Sequence, residues 1–264
     1  MHLTARFVAV WIACLAVVAG AAAPVAQAAV TPVNPGPAAA GKPISWTNMN
    51  LPPLDAAHPY DAGEGFAPQI EAYYTSGKVR ADQAAVAAAA LRWTRGWLTS
   101  ACGGASRSIV RKCKAMAVFD IDETLLDNYT YYSTTTPAFS FIPATWGPYQ
   151  ASCGQSANSA VTALYSRLRA LGVRIAVVTG RNETSRDATT ACLTARGVTG
   201  WTTLVMQQPA DATLTAANYK AQARAALEKQ GWRIGPSIGD QVSDMSNGHL
   251  AHGFLLPNPM YYIP

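Results

Sequence analysis

Short apolar runs alternate with segments of helical periodicity along most of this chain, and this alternation restricts the fold more than any other feature of the sequence. Four runs are nearly continuously apolar, and we predict buried strands at 115–119, 173–178, 202–206 and 234–238. Helical patterns precede and separate them, and we predict helices that begin near residue 69, are strongest at 79–101, and continue at 161–170, 183–196 and 215–230. Together they predict an α/β fold, a Rossmann-like doubly wound parallel sheet with helices on both faces.

Residues 128–156 interrupt this alternation. The segment is aromatic, is rich in Thr and Pro, and contains a cysteine. A long irregular insertion in a compact domain is usually functional or disordered, and the aromatic content favours a function. We therefore predict a small cap over a functional site. Four aromatic side chains either line the mouth of that site or pack the cap, with neither alternative favoured: Tyr129, Tyr131, Tyr132 and Trp146.

The first 28 residues have the features of a secretory signal peptide. Arg6 precedes the apolar run 7–23, and small residues up to Ala28 offer a cleavage site. Pro24 ends the run, which is short for a span of about 30 Å of hydrocarbon. A cleaved signal is therefore favoured over a stable membrane anchor, and we predict a secreted, extracytoplasmic protein cleaved near Ala28.

The remaining chain is predicted to consist of an extended Pro/Ala-rich arm at 29–61 and one domain at 62–264. The formal net charge is +5, but no run of Lys or Arg occurs, so a nucleic-acid partner is not predicted. A mild positive balance instead favours small anionic ligands. No heptad pattern or unusual apolar face stands out, and the sequence predicts no oligomeric state.

Four cysteines follow the predicted signal peptide: Cys102, Cys113, Cys153 and Cys192. An even number of cysteines in an exported protein favours two disulfides, although four cysteines allow three pairings. Proximity along the chain favours Cys102–Cys113, which leaves Cys153–Cys192. The spacing does not fit a zinc site, because there is no C-x-x-C pair and there are few histidines.

Polar clusters stand at the carboxyl ends of three predicted strands, at 120–124, 179–181 and 239–244. Ligands of open α/β sheets bind in the crevice outside those strand ends. Segments that are far apart in the sequence should therefore converge at one place, and this convergence predicts the site better than any single motif.

Four carboxylates would meet there, those of Asp120, Asp122, Asp240 and Asp244. Because they repel one another, each would resist ionisation unless a divalent cation lies between them. Oxygen ligands of this kind suit Mg²⁺, which also holds substrate phosphate. A calcium loop does not fit, because Leu125 stands where such a loop needs glycine.

These motifs resemble those of the haloacid-dehalogenase-type phosphohydrolases. Within that superfamily the chain is most similar to the class B acid phosphatases, with the plant acid phosphatases and vegetative storage proteins, and it is also similar to the bacterial class C acid phosphatases. The resemblance extends from about residue 69 to the C-terminus. It is carried by FDIDETLLDN at 119–128, VTGR at 178–181, Tyr219-Lys220, GDQVSD at 239–244 and the ending LPNPMYYI at 256–263.

The resemblance implies a magnesium-dependent acid phosphatase that hydrolyses phosphate monoesters in two steps. Asp120 would attack phosphorus and form an aspartyl-phosphate. Asp122 would protonate the leaving alcohol and then activate water. Thr179, the Gly180 N–H at a helix start, and Lys220 would hold the phosphate.

The implied metal ligands are the Asp120 carboxylate, the Asp122 backbone carbonyl, Asp240, and Asp244 either directly or through water. Two alternatives stay open. Some plant storage relatives lack the nucleophilic aspartate, so a non-catalytic storage or surface-binding protein on the same fold is one of them. The other is a phosphotransferase that passes the phosphoryl group to an alcohol. Small phosphomonoesters, with nucleotides among the candidates, are the implied substrates.

Overall fold

The computed structural model describes residues 49–52, 54 and 57–264 and the backbone of 44–46. The predicted signal peptide and most of the predicted arm lie outside the described residues. The helices are α1 (Ala67–Thr75), α2 (Lys78–Cys102), α3 (Arg107–Lys112), α4 (Tyr129–Thr134), α5 (Pro143–Ala151), α6 (Ser159–Ala170), α7 (Arg186–Ala195) and α8 (Ala216–Lys229). The strands are β1 (Ile44–Trp46), β2 (Tyr60–Asp61), β3 (Ala115–Phe119), β4 (Leu126–Asp127), β5 (Ser156–Ala157), β6 (Arg174–Asn182), β7 (Thr203–Gln207), β8 (Arg233–Gly239), β9 (His252–Leu255) and β10 (Tyr261–Tyr262).

One sheet of six strands forms the centre of the protein, in the order β1-β9-β8-β3-β6-β7, and every neighbouring pair is parallel. Successive side chains of a strand point to opposite faces. Ala117 and Phe119 of β3 accordingly pack with α2, α6 and α7 in one core, while Met116 and Val118 pack with α8 in the other. Helices cover both faces, which confirms the predicted α/β class.

The sheet is wider than the sequence predicted. The edge strand β1 and its neighbour β9 have three and four residues, and β9 begins with His252 and Gly253, so neither has the continuous apolar run that identified the others. They are strands because their backbones pair with a neighbour. Strand β8 contains Pro236, and its pairing with β3 shifts register between Met116 and Val118. Proline has no N–H to donate to a neighbouring strand, and an irregular pairing such as this one is where a strand can contain it.

Helices α4 and α5 lie between β4 and β5, which pair antiparallel, and the predicted cap segment 128–156 contains both helices. Disulfides join Cys102 to Cys113 and Cys153 to Cys192, which confirms the pairing favoured by proximity. The second disulfide ties the cap segment to α7. Within the residues that the structure describes, no helix has both the length and the apolar character needed to cross a membrane.

Candidate active site

Three aspartates meet at the carboxyl ends of β3 and β8. Asp120 directly follows β3, Asp240 directly follows β8, and Asp244 ends the 3-10 turn Val242–Asp244. All three are buried, and one carboxylate oxygen from each lies within 4.8 Å of the other two. The structure thus brings together three of the four carboxylates that the sequence placed at this edge.

A lysine from α8 reaches the same point. The Lys220 ammonium donates to Oδ1 of Asp120 at 3.1 Å and to the Asp244 carboxylate. Its side chain is buried with theirs, so this lysine is not the solvated side chain usual in the first turns of a helix. Lys220 therefore connects Asp120, the nucleophile candidate directly after β3, with the turn that follows β8.

Asp240 is held by three side chains to which the sequence alone assigned no role. The Thr124 hydroxyl donates to Oδ1 at 3.1 Å, and the amides of Gln241 and Asn258 each donate to Oδ2 at 2.8 Å. Thr124 and Gln241 stand beside the aspartates in the motifs, which is a local signal. Asn258 is 18 residues from Asp240, so only the fold of the C-terminal segment shows its part.

A fully buried arginine supports the turn that carries Asp244. Arg224 stands one helical turn after Lys220, on the same face of α8. Its guanidinium donates to the carbonyls of Asp244 at 2.8 Å, Gly248 at 3.0 Å and Ser246. The i, i+4 spacing from Lys220 is the signal that could have identified it. Arg224 fixes the backbone from which the Asp244 carboxylate points at Lys220.

Burial and mutual repulsion set the protonation of these groups. Burial raises the pKa of Asp120 well above its usual value, and Asp244 and Asp240 add to the rise against the opposing effect of Lys220. Burial and Asp244 raise the pKa of Asp240 to about 7. Burial alone would lower the pKa of Lys220, but Asp120 and Asp244 raise it above its usual value. The lysine therefore stays charged, and its ammonium places one positive charge beside three acids.

Asp122 is not one of the three clustered carboxylates, and other side chains bind it. Arg181 donates to it through Nε at 2.9 Å and Nη2 at 2.7 Å, and the Asn128 amide donates to Oδ1 at 3.0 Å. Burial would raise the pKa of Asp122, but these partners hold that pKa below its usual value. In this arrangement the side chain is an ionised base. Arg181 belongs to the VTGR motif at 178–181, but no sequence pattern indicates that it pairs with Asp122.

Thr179 and Gly180 lie at the carboxyl end of β6, beside the aspartates. Thr179 is buried, and its hydroxyl accepts from the Arg181 N–H at 3.2 Å. Gly180 was expected at a helix start, and this placement is wrong. Strand β6 continues to Asn182, whose pairing with β7 resumes after a register shift, and the next helical turn begins at Glu183. Gly180 is thus exposed in an irregular strand end instead of at the positive end of a helix.

Glu123 was also not identified from the sequence. Its backbone has φ +53°, its carboxylate accepts from the Asn128 N–H at 3.0 Å, and the Tyr261 hydroxyl donates to it. Burial, with Asp240 second, raises the pKa of Glu123 well above its usual value. The residue connects the turn after β3 with β10 at the C-terminus, which shapes the backbone that carries Asp122.

The aromatic residues of the cap segment divide between the two roles that the sequence left open. Tyr131 and Tyr132 are buried and pack with Phe139 and Tyr261 in a core of their own. Tyr131 also donates to the Ile142 carbonyl at 3.0 Å. Tyr129 and Trp146 remain partly exposed. Packing therefore accounts for the first two, while the other two keep accessible surface.

The donor set fits a divalent cation. Three buried carboxylates face one lysine, which leaves two negative charges when all are ionised. Thr124, Gln241 and Asn258 already orient Asp240, so its position does not depend on a bound ion. Oxygen ligands at this density are those of a hard divalent cation.

Comparison with known proteins identifies relatives of one kind. The family model described as HAD superfamily, subfamily IIIB (acid phosphatase), matches residues 56–264. Acid phosphatase 1 of Solanum lycopersicum is 34% identical over 148 residues, which are 55% of this chain and 58% of that protein. Vegetative storage protein 1 of Arabidopsis thaliana is 32% identical over 154 residues, 56% of this chain and 55% of that protein. The matched region thus spans between half and two thirds of these curated relatives.

Solved structures give the same fold. The class C acid phosphatase from Bacillus anthracis superposes with a TM-score of 0.56 and 20% identity, covering 74% of this chain and 86% of that one. A second structure of that enzyme, with tungstate bound, has a TM-score of 0.57 at the same identity and coverage. At this level of identity the likeness establishes the architecture alone.

Proposed function

The chain belongs to subfamily IIIB of the HAD superfamily, the acid phosphatases, and from this premise we propose that it is a secreted, magnesium-dependent phosphomonoester hydrolase in which Asp120 is the covalent nucleophile. The observation that carries the proposal is the convergence of Asp120 with Lys220, Asp240 and Asp244 at one strand end. A structural network alone gives no reason to bury three acids against one lysine.

In the first step a carboxylate oxygen of Asp120 forms a bond to phosphorus as the bond from phosphorus to the ester oxygen breaks. The departing alkoxide takes a proton from Asp122 and leaves as an alcohol. In the second step Asp122 takes a proton from water, whose oxygen bonds to phosphorus as the aspartyl bond breaks. Inorganic phosphate and free Asp120 result, so one hard displacement becomes two easier ones.

The ion pair with Arg181 determines when Asp122 can perform each role. An ionised Asp122 is ready to act as the base of the second step. For the first step Asp122 must carry a proton. Its pKa must therefore rise, which requires that its ion pair with Arg181 weaken. An arriving phosphate dianion competes for the same guanidinium. We therefore propose that substrate binding loosens this pair and raises the pKa of Asp122.

Phosphate oxygens would be held by the Thr179 hydroxyl, the Gly180 N–H and Lys220. Lys220 is fixed by its bonds to Asp120 and Asp244, so its charge is positioned before substrate arrives. Since Gly180 is not at a helix start, its N–H contributes as a single donor without a helix dipole.

Asp120, Asp240, Asp244 and the Asp122 carbonyl would hold the metal ion. When bound, Mg²⁺ offsets the repulsion between the nucleophile and the phosphate and stabilises the charge that develops in transfer. The side chains of Thr124, Gln241 and Asn258 keep Asp240 aimed at that position.

Two further parts of the proposal concern location and substrate. Two disulfides agree with folding in an oxidising compartment, as the predicted signal peptide requires. The partly exposed Tyr129 and Trp146 offer aromatic surface to a nucleoside or aryl phosphate. We propose small phosphomonoesters, nucleotides among them, as the substrates, and a panel of nucleotide, sugar and aryl phosphates tests this class.

Hydrolysis of p-nitrophenyl phosphate tests the activity itself. We expect turnover that EDTA abolishes and Mg²⁺ restores, and inhibition by tungstate, a phosphate-like oxyanion. Similarity to a vegetative storage protein favours the alternative of a non-catalytic protein. Turnover at background level in the presence of Mg²⁺ would establish that alternative. Product analysis with an added acceptor alcohol separates hydrolysis from phosphotransfer.

A further inference from the structure

A cavity lies at the amino end of the central sheet, away from the candidate active site at the carboxyl end. It has a volume of about 300 Å³, and four arginines from three elements line it: Arg107 and Arg111 of α3, Arg169 of α6 and Arg174 at the start of β6. Arg174 precedes Thr179 by five residues along β6, so these two residues lie about 17 Å apart. The cavity is therefore separate from the candidate active site.

Acidic side chains are absent from the lining of this cavity in the part of the chain that the structure describes. Among the described residues, none of the four guanidiniums forms an ion pair. The guanidinium carbon of Arg169 lies 5.8 Å from the centroid of the Tyr165 ring, within the range of a cation–π contact. Four like charges around one concave space repel each other, and an anion in that space would offset the repulsion.

Two glycines allow the arginines of the cavity to pack closely against neighbouring backbone. A Cβ at Gly172, where φ is +92°, would lie 3.0 Å from the Arg107 carbonyl oxygen. A Cβ at Gly200, where φ is +70°, would lie 2.1 Å from Nη2 of Arg169. Both glycines thus have backbone conformations that favour glycine, and both lie where a larger residue would collide. Gly172 lies against α3, and Gly200 lies against the Arg169 guanidinium. The cavity is formed by the packing of separate elements and not by one flexible loop.

We propose that this cavity binds an oligophosphate, a small ligand with two or more phosphate groups. Arginine forks pair with phosphate through two parallel hydrogen bonds, so four arginines match more than one phosphate group. A phosphate ester group carries about −1.5 to −2 at neutral pH, so two such groups balance four guanidiniums. The volume suits a small ligand. None of the described residues that line the cavity has an aromatic side chain on which a nucleobase could stack, which disfavours single-stranded nucleic acid.

Calorimetry with inorganic triphosphate tests the proposal. The full chain is titrated in EDTA, so that no metal draws the ligand to the aspartates. We expect one binding site, with affinity falling as salt is added. Arg107→Gln and Arg169→Gln should each weaken binding about tenfold. Arg167→Gln is the matched control, because it is exposed on the same helix as Arg169 but does not line the cavity, and it should change affinity less than about twofold.

Two comparisons locate the ligand and test its class. Lys220→Met should leave triphosphate binding unchanged if the cavity binds it, and should weaken binding if the acidic end does. Orthophosphate should bind at least about tenfold more weakly than triphosphate, because it engages fewer arginines. Absence of saturable triphosphate binding, equal losses in Arg167→Gln and Arg169→Gln, or equal affinity for orthophosphate would each overturn the proposal.

Chemical footprinting provides a measurement independent of affinity. An arginine-selective dicarbonyl reagent, read out by mass spectrometry, should modify the four cavity arginines less when triphosphate is present. Protection confined to Arg181 would place the ligand at the catalytic end and contradict the proposal. Melting temperatures of all variants show that lost binding is not lost folding.

Discussion

The two ends of the central sheet handle charge in opposite ways. At the carboxyl end, Asp120, Asp240 and Asp244 are buried, and each accepts hydrogen bonds from protein groups. At the amino end, arginines such as Arg107 and Arg169 are exposed and unpaired within the described chain.

The difference follows from solvation. A charge removed from water is costly unless hydrogen bonds and opposite charges replace the water. An exposed guanidinium keeps its hydration and needs no partner, so it stays available to a ligand. Substitutions at the acidic end should therefore affect activity or stability strongly, while those at the arginine end should affect binding alone.

The largest effect is expected from Asp120→Asn. It should lower kcat for p-nitrophenyl phosphate by about 10³-fold or more, since the nucleophile is lost. The melting temperature without metal should not fall, because burial and neighbouring acids raise the pKa of Asp120 and disfavour its charge. Asp187→Asn, at an exposed position of α7, is the control and should retain activity. Retained turnover in the Asp120 variant would remove the nucleophile from the mechanism.

Two arginines at opposite ends give the next contrast. Arg224→Gln should lower the free energy of unfolding by about 3 kcal/mol or more, because three carbonyls lose a buried charged donor. Arg169→Gln should shift the melting temperature by less than about 2 °C. Urea denaturation of both variants measures the difference. Similar losses of unfolding free energy in the two variants would show that burial does not make the acidic end more sensitive than the arginine end.

A smaller effect is expected from Arg181→Lys. A lysine keeps the positive charge but cannot form the two-point contact with Asp122. We expect kcat to fall about tenfold, with KM changed less, because proton transfer depends on the position of Asp122. Steady-state kinetics measure both constants. A change confined to KM would assign Arg181 to substrate binding instead of to positioning Asp122.

The smallest effect concerns pH. Burial beside Trp93 and Phe254 lowers the pKa of His252, the first residue of β9. The unfolded chain therefore binds a proton at higher pH than the folded chain does. Stability should fall as pH drops below about 6.5, until the folded pKa is reached. In the His252→Gln variant, the free energy of unfolding should depend less steeply on pH over this range. An unchanged slope would show that other groups cause the loss.

Much of the central sheet was predictable because its signals are local. The runs at β3, β6, β7 and β8 are apolar and continuous, so periodicity alone located them. Once these strands are parallel, the motifs at their carboxyl ends must meet. The edge strand β1 and its neighbour β9 could not be found in this way, because only pairing with adjacent strands makes them strands.

The candidate site divides similarly. Asp120, Asp240 and Asp244 are predicted by their positions after strands, and proximity along the chain correctly paired the cysteines. Gly180 was misplaced because the irregular end of β6 extends beyond its apolar run. Asn258 donates a hydrogen bond to Asp240 from 18 residues away in the chain, and hydrophobic periodicity gives no information about such a contact.

Local patterns along the chain were enough to predict the fold class, the strands that end in polar residues, and the residue types that stand at those ends. The packing of the folded chain was needed to show that Asp122 faces Arg181, that Arg224 is buried under the Asp244 turn, and that four arginines line one cavity. Each depends on a contact between elements distant in sequence, where burial decides whether a charge must be paired or stays open to a ligand.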